Sequence, residues 1–82
     1  DMRREARFPA GLVTAHLRVK QGCIQAVRFY GDFFGSGPLE ELEAAMAGLP
    51  LDAQLAEALA PLHVEHYMSG ITAEELARLL RG

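Results

Sequence analysis

Three groups of residues in this 82-residue chain have types and spacings that chemistry uses. His63-Val64-Glu65-His66 sets two imidazoles three residues apart, which on a helix share a face. Zinc asks for further ligands, and the metalloprotease helix has its histidines four apart with a glutamate directly after the first. The segment meets neither condition and reads as capping or surface histidines, with no metal site. Cys23, the only thiol, falls at the tip of a predicted hairpin beside Arg18 and Lys20, where a sulfur carrier could display a nucleophile. A lone cysteine at a strand start is also commonly an inert apolar residue. Gly31, Gly35 and Gly37 approach the spacing of a phosphate loop, but no Lys-Ser or Lys-Thr follows them, so turn formation explains them better. Ser36 and Ser69 read as turn residues, and no catalytic or cofactor-binding residue is assigned. A basic stripe of His16, Arg18, Lys20 and Arg28 lacks interleaved exposed aromatics on its predicted face. With a net charge of −3, it argues against nucleic acid as a partner.

The elements that position these residues follow from periodicity. Arg4 to Phe8 reads as a short strand stopped by Pro9, which has no amide hydrogen for a ladder. Val13, Ala15, Leu17 and Val19 alternate with Thr14, His16, Arg18 and Lys20, a strand with one buried and one wet face. Gln21-Gly22 suits a tight hairpin turn, and Cys23 to Tyr30 returns antiparallel. Ile24 and Ala26 share one parity and Val27 and Phe29 the other, which predicts either a bulge or burial on parts of both faces.

After Tyr30 the composition shifts to Leu, Ala and Glu, and the period lengthens to about 3.6 residues. Pro38 suits the first turn of a helix capped by Ser36 or Gly37, with Leu39, Leu42 and Met46 as its buried stripe and Gly48 as its end. Asp52 is the expected cap of a second helix, which Pro61 stops near Ala60. A helical turn over His63 to Met68 follows. Thr72-Ala73-Glu74-Glu75 is a capping box, and Ile71, Leu76, Leu79 and Leu80 form the buried stripe of the last helix. Strands first and helices later predict an α+β fold: a three-stranded antiparallel sheet followed by three to four helices in a two-layer sandwich, one domain over residues 1–82.

A chain of this length buries only about 60–65% of its unfolded surface, so its stability margin is thin. No run of 18 apolar residues and no signal peptide is present, which predicts no membrane partner. The single cysteine predicts a reducing cytoplasm. Charge divides the chain: residues 1–30 hold six Arg or Lys against Asp1 and Glu5, and residues 31–82 hold Arg78 and Arg81 against nine carboxylates. One reading is that such a dipolar chain draws an acidic partner toward its first half; the other is that each half is ordinary solvated surface.

Phe29, Tyr30, Phe33 and Phe34, four of the six aromatics, crowd around Gly31 and Asp32 where a strand should be ending. One reading has the rings seal the core edge, with Asp32 in an Asx-type turn. The other exposes part of the cluster as an apolar anchor for a partner, with Tyr30, Asp32, Phe33 and Phe34 as contact residues.

The run from Val19 through Lys20-Gln21-Gly22-Cys23-Ile24 to Phe29-Tyr30-Gly31-Asp32-Phe33-Phe34-Gly35 resembles the C-terminal domain of bacterial lipoate-protein ligases. Downstream, Leu39-Glu40-Glu41-Leu42-Glu43 and Tyr67-Met68-Ser69-Gly70-Ile71-Thr72-Ala73-Glu74-Glu75 continue the likeness in the same order. The resemblance implies a fold similar to sulfur-acceptor and iron-sulfur scaffold proteins. It implies a non-catalytic accessory role: a separate large domain or subunit activates lipoate with ATP to lipoyl-adenylate and transfers it to acceptor proteins. ATP, magnesium and lipoate then belong to the complete ligase, and Lys20 does not match its catalytic lysine. Whether the chain is an excised domain or a small subunit starting at Met2 stays open, as does homodimerisation of an isolated domain. The alternative is a free-standing sulfur or iron-sulfur carrier using Cys23.

Overall fold

The alternating segment forms the middle strand of a three-stranded antiparallel sheet, ordered β1-β2-β3, in the computed structural model, which describes residues 1–82. The strands are β1 (Met2–Phe8), β2 (Gly11–Lys20) and β3 (Cys23–Gly31). β1 starts earlier than the expected Arg4, because Met2 and Arg3 already pair with Leu17 and His16. Pro9-Ala10 turns the chain into β2, and Gln21-Gly22 turns it into β3 with φ of 54° and 77°. Two positive φ values are what a twisted two-residue hairpin requires.

The parity switch on β3 is a bulge. Arg18 pairs with Ala26 but Val19 pairs with Ile24, so Gln25 is the extra residue. That insertion brings Ile24, Val27 and Phe29 onto the buried face and leaves Ala26 exposed.

Helices α1 (Leu39–Ala45), α2 (Leu55–Leu59), α3 (Val64–Tyr67) and α4 (Ala73–Arg81) follow, with a 3₁₀ turn at Ala60–Leu62. Two caps differ from expectation. Pro38 is itself the N-cap of α1, extended at ψ 128° and without a side-chain bond, rather than lying inside the first turn. Gln54, not Asp52, caps α2. Asp52 sits one turn earlier, its carboxylate accepting from the Gln54 N–H (2.8 Å) and its carbonyl from the Leu55 N–H (3.1 Å). Asp52 favours this local turn over a helical start because its short side chain reaches the backbone two residues on. Pro61 ends α2 at Leu59 as expected.

All buried residues are apolar and form one cluster between one face of the sheet and the helices. β2 and β3 contribute Val13, Ala15, Leu17, Ile24, Val27 and Phe29, while Leu42, Met46, Leu55, Leu59, Met68 and Leu76 come from the helical half. The outer edge of β3 is closed by a non-helical segment: the Ile24 N–H donates to the Leu49 carbonyl (2.8 Å) and the Gly48 N–H to the Ile24 carbonyl (2.7 Å). Further along, the Phe29 N–H donates to Glu43 Oε2 (2.8 Å), so a helix side chain satisfies a strand amide. On β1, Arg4 lies on the helix side and its Nε–H donates to the Leu80 carbonyl (3.3 Å), placing a cation at the C-terminal end of α4.

The capping box of α4 is complete, with the Glu75 N–H donating to Thr72 Oγ1 (3.1 Å) and the Thr72 N–H to Glu75 Oε1 (2.9 Å). Thr72→Ala removes one of these bonds and costs about 1 kcal/mol. In a domain of this size that lowers the melting temperature by roughly 4–8 °C, read by circular dichroism.

Candidate partner-docking site

The aromatic corner at the end of β3 divides its rings between core and solvent. Phe29 is buried, Tyr30 is 55% exposed, Phe33 packs half-buried against the core, and Phe34 is 83% exposed. Gly31 has φ of 148°, and a Cβ there would collide with the Leu12 carbonyl. The position therefore accepts only glycine without a shift of β2. Asp32 continues the ladder by one bond, its N–H donating to the Leu12 carbonyl (3.1 Å). Its carboxylate is exposed and accepts no hydrogen bond, so the expected Asx-type turn is absent; the backbone, not the side chain, fixes this corner.

Beyond Asp32 the chain lies directly on the end of α3. The Ser69 N–H donates to the Phe34 carbonyl (2.6 Å), and the Ser36 and Gly37 N–H groups both donate to the His66 carbonyl (2.7 and 3.2 Å). Gly35 sits so close that a Cβ would run into the Tyr67 carbonyl, and one on Gly37 would press on the His66 and Tyr67 rings. The glycine spacing thus serves backbone contact between two segments. His66 and Tyr67 pack edge to face with centroids 4.9 Å apart. The Tyr67 hydroxyl donates to Glu41 Oε1 (3.2 Å), tying α3 to α1. Partial burial first, then this bond and the Glu41 charge, hold the Tyr67 phenol above its ordinary value of 10.0.

The second sheet face is uncovered. His16, Arg18, Lys20 and Arg28 are exposed there, as expected, and β1 adds Arg3 and Arg7, which the sequence pattern alone did not attach to the stripe. Tyr30 stands on this face with its ring 5.2 Å from that of His16. An exposed aromatic therefore does accompany the basic residues, contrary to expectation, because Tyr30 opposes Thr14 on the wet side of β2. Arg3 pairs with Glu5 (3.0 Å) and Arg18 with Asp1 (3.3 Å), both in solvent.

The other candidates lie apart from this corner. Cys23 is half-buried at the start of β3 and bridges to Pro50 in the edge segment. His63 adopts a left-handed conformation (φ 57°) between the 3₁₀ turn and α3. No three or more His, Cys, Asp or Glu side chains come together in a way that could hold a metal ion. An open groove of about 440 Å³ runs between β1 and α4, with Ala6, Phe8 and Leu79 as its apolar lining and Arg4, Arg78 and Glu75 at its sides. No helix is long and apolar enough to cross a membrane.

Comparison with known proteins adds to this geometry. Residues 1–80 match the family model described as bacterial lipoate protein ligase C-terminus. A lipoate-protein ligase of Streptococcus pyogenes is 40% identical over 78 residues, covering 94% of this chain and 23% of the relative. The lipoate-protein ligase LplJ of Bacillus subtilis is 32% identical over 81 residues, covering 98% and 24%. The chain thus spans about a quarter of the length of these relatives. Among solved structures, a chain from an archaeal lipoylation system superposes with a TM-score of 0.79 at 18% identity, covering 99% of this chain and 94% of that one. That system comprises a bi-partite lipoate protein ligase and its E2 lipoyl domain from Thermoplasma acidophilum. At that identity the likeness speaks for the fold.

The two phenylalanines make separable predictions. Phe33→Ala destabilises the isolated chain by about 1–3 kcal/mol, whereas Phe34→Ala stays within about 0.5 kcal/mol of the parent in urea unfolding. A second expectation concerns alkaline pH. The folded state holds the Tyr67 proton more tightly than the unfolded chain, so the stability this group contributes is full below the unfolded value and lost as pH rises through the folded one. Ultraviolet titration of the Tyr30→Phe protein should show a phenol midpoint above 10.0, moving part of the way back down when Glu41→Ala is added.

Proposed function

The chain belongs to the bacterial lipoate protein ligase C-terminus family, and from that premise we propose that it is a non-catalytic accessory domain. It docks on the large catalytic part of a lipoate-protein ligase and supports activation of lipoate to lipoyl-adenylate. The observation that carries this reading is the aromatic corner. Phe34 is exposed, its carbonyl accepting from the Ser69 N–H, and it follows exposed Tyr30, exposed Asp32 and half-buried Phe33 along the chain. Aromatic side chains are enriched at the cores of protein interfaces, and an exposed ring with no place in this core is available to fill a pocket on a partner.

ATP, lipoate and magnesium belong, in this reading, to the complete ligase. No three or more His, Cys, Asp or Glu side chains converge on one point, and the groove between β1 and α4 is open to solvent. The domain acts by covering and ordering a site on the large part, as mobile lids do elsewhere. Protein lipoylation in the cytoplasm is the process to which we assign it, and the single half-buried thiol suits a reducing compartment.

The test combines this chain with the large domain of a lipoate-protein ligase and follows lipoyl-adenylate formation. Addition of the chain is expected to raise the rate at least about tenfold. Phe34→Ala should weaken association by about 2 kcal/mol, a roughly 30-fold rise in the concentration needed, without loss of fold. Cys23→Ser should leave the stimulation unchanged. If the folded parent chain neither binds the large domain nor stimulates adenylate formation, the reading fails.

A further inference from the structure

We infer that the uncovered face of the sheet is a second docking surface, for a carboxylate-rich lipoyl-acceptor protein that binds and leaves in each round; this rests on the accessory-domain reading above. The face carries Arg3, Arg7, Arg18, Lys20 and Arg28 against Asp1 and Glu5, while residues 31–82, which include all four helices, carry a large negative excess. The field therefore points out of the open face and would steer an anionic protein to it.

Strand register sharpens this. Arg3 opposes His16 and His16 opposes Arg28, so three basic side chains stand in one row across the three strands. Such a row brings no pairing of opposite charges to the sheet, and like charges directly opposite one another are destabilising. Arg3 and Arg18 have carboxylate partners within the chain, whereas Arg7, Lys20 and Arg28 have none. These three are free to meet carboxylates brought from outside.

Composition selects the kind of partner. Among the exposed residues of this face, Tyr30 is the one large apolar group, and it is packed on His16 at the corner. A standing interface needs a buried apolar centre. A charged face without one mainly speeds encounter and sets salt dependence. The large domain, which stays, is served by the aromatic corner, and the acceptor, which must depart after each transfer, is served by the charged face.

The experiment uses the complete ligase, large part plus this chain, with Lys20→Glu and Arg28→Glu combined and an apo lipoyl-acceptor domain as the probe. Adenylate formation is measured without acceptor, and transfer is measured over a range of acceptor concentrations. Melting temperature confirms that the variant is folded. The expected result is a KM for the acceptor raised about tenfold, with adenylate formation and kcat within about twofold of the parent. The parent's KM should rise with added salt much more steeply than the variant's. An unchanged KM overturns the inference, and so does a matching fall in adenylate formation, which would give the face to the large part instead. A single-stranded RNA oligonucleotide that displaces the acceptor from the parent at equal concentration would also overturn it. Failure of the accessory reading is separate: the large part would then form adenylate equally well without this chain.

Discussion

The close backbone contact between Phe34–Gly37 and the end of α3 is the constraint on which both halves of the molecule depend. One shared apolar core packs the sheet against a set of short helices, and directional bonds fix how the two sit on each other. α2 and α3 are five and four residues long, too short to be stable without tertiary support. Three backbone hydrogen bonds, from the Ser69 N–H to the Phe34 carbonyl and from the Ser36 and Gly37 N–H groups to the His66 carbonyl, fix this end of the helical half. They form only because Gly35 has no Cβ to strike Tyr67. The same contact decides where the aromatic rings go. With the Phe34 carbonyl committed to Ser69, Phe33 turns toward the core and Phe34 is left in solvent.

The parts of the fold legible in the sequence are those that rest on local chemistry. Alternation along Val13 to Lys20, the positive φ demanded by Gln21-Gly22, the Pro61 stop and the Thr72 capping box each depend on residues within one turn of one another, and each stands where the pattern placed it. The bulge at Gln25 was half-legible: parity announced an irregularity, but which residue was extra depended on pairing with Val19 and Arg18. Long-range satisfaction was not legible. Glu43 bonding the Phe29 amide, Arg4 reaching the Leu80 carbonyl and Glu41 holding Tyr67 join residues 14, 76 and 26 positions apart. Asp32 shows the opposite error. Its residue type suggested a side-chain turn, but the ladder bond to Leu12 fixed the backbone and left the carboxylate free.

The candidate site shows the same division. Crowding of Phe29, Tyr30, Phe33 and Phe34 marked the region, and composition alone left open whether the rings seal the core or reach outward. The structure has both: Phe29 and Phe33 on the core side, Tyr30 and Phe34 outside. The extent of the basic face was underestimated because β1 was read as starting at Arg4. Arg3 joins it only once β1 is seen to pair from Met2 onward, and Arg7, inside the expected strand, joins it through its pairing with Leu12 of β2.

A small domain with every buried side chain apolar keeps its core for stability and its surface for function. Burying an ionisable group would cost several kcal/mol, which a chain with a thin stability margin is poorly able to offset. The working groups are accordingly outside: rings at one corner, and charges on the one sheet face that no helix covers. Apolar contact area favours slow dissociation, and exposed charge favours fast encounter. In the function and the docking surface proposed for this chain, separating the two on adjoining surfaces serves one protein that stays and another that is exchanged. The backbone contact at Gly35 keeps these surfaces in fixed relation, since it anchors the corner to the helices while Asp32, through Leu12, anchors it to the sheet.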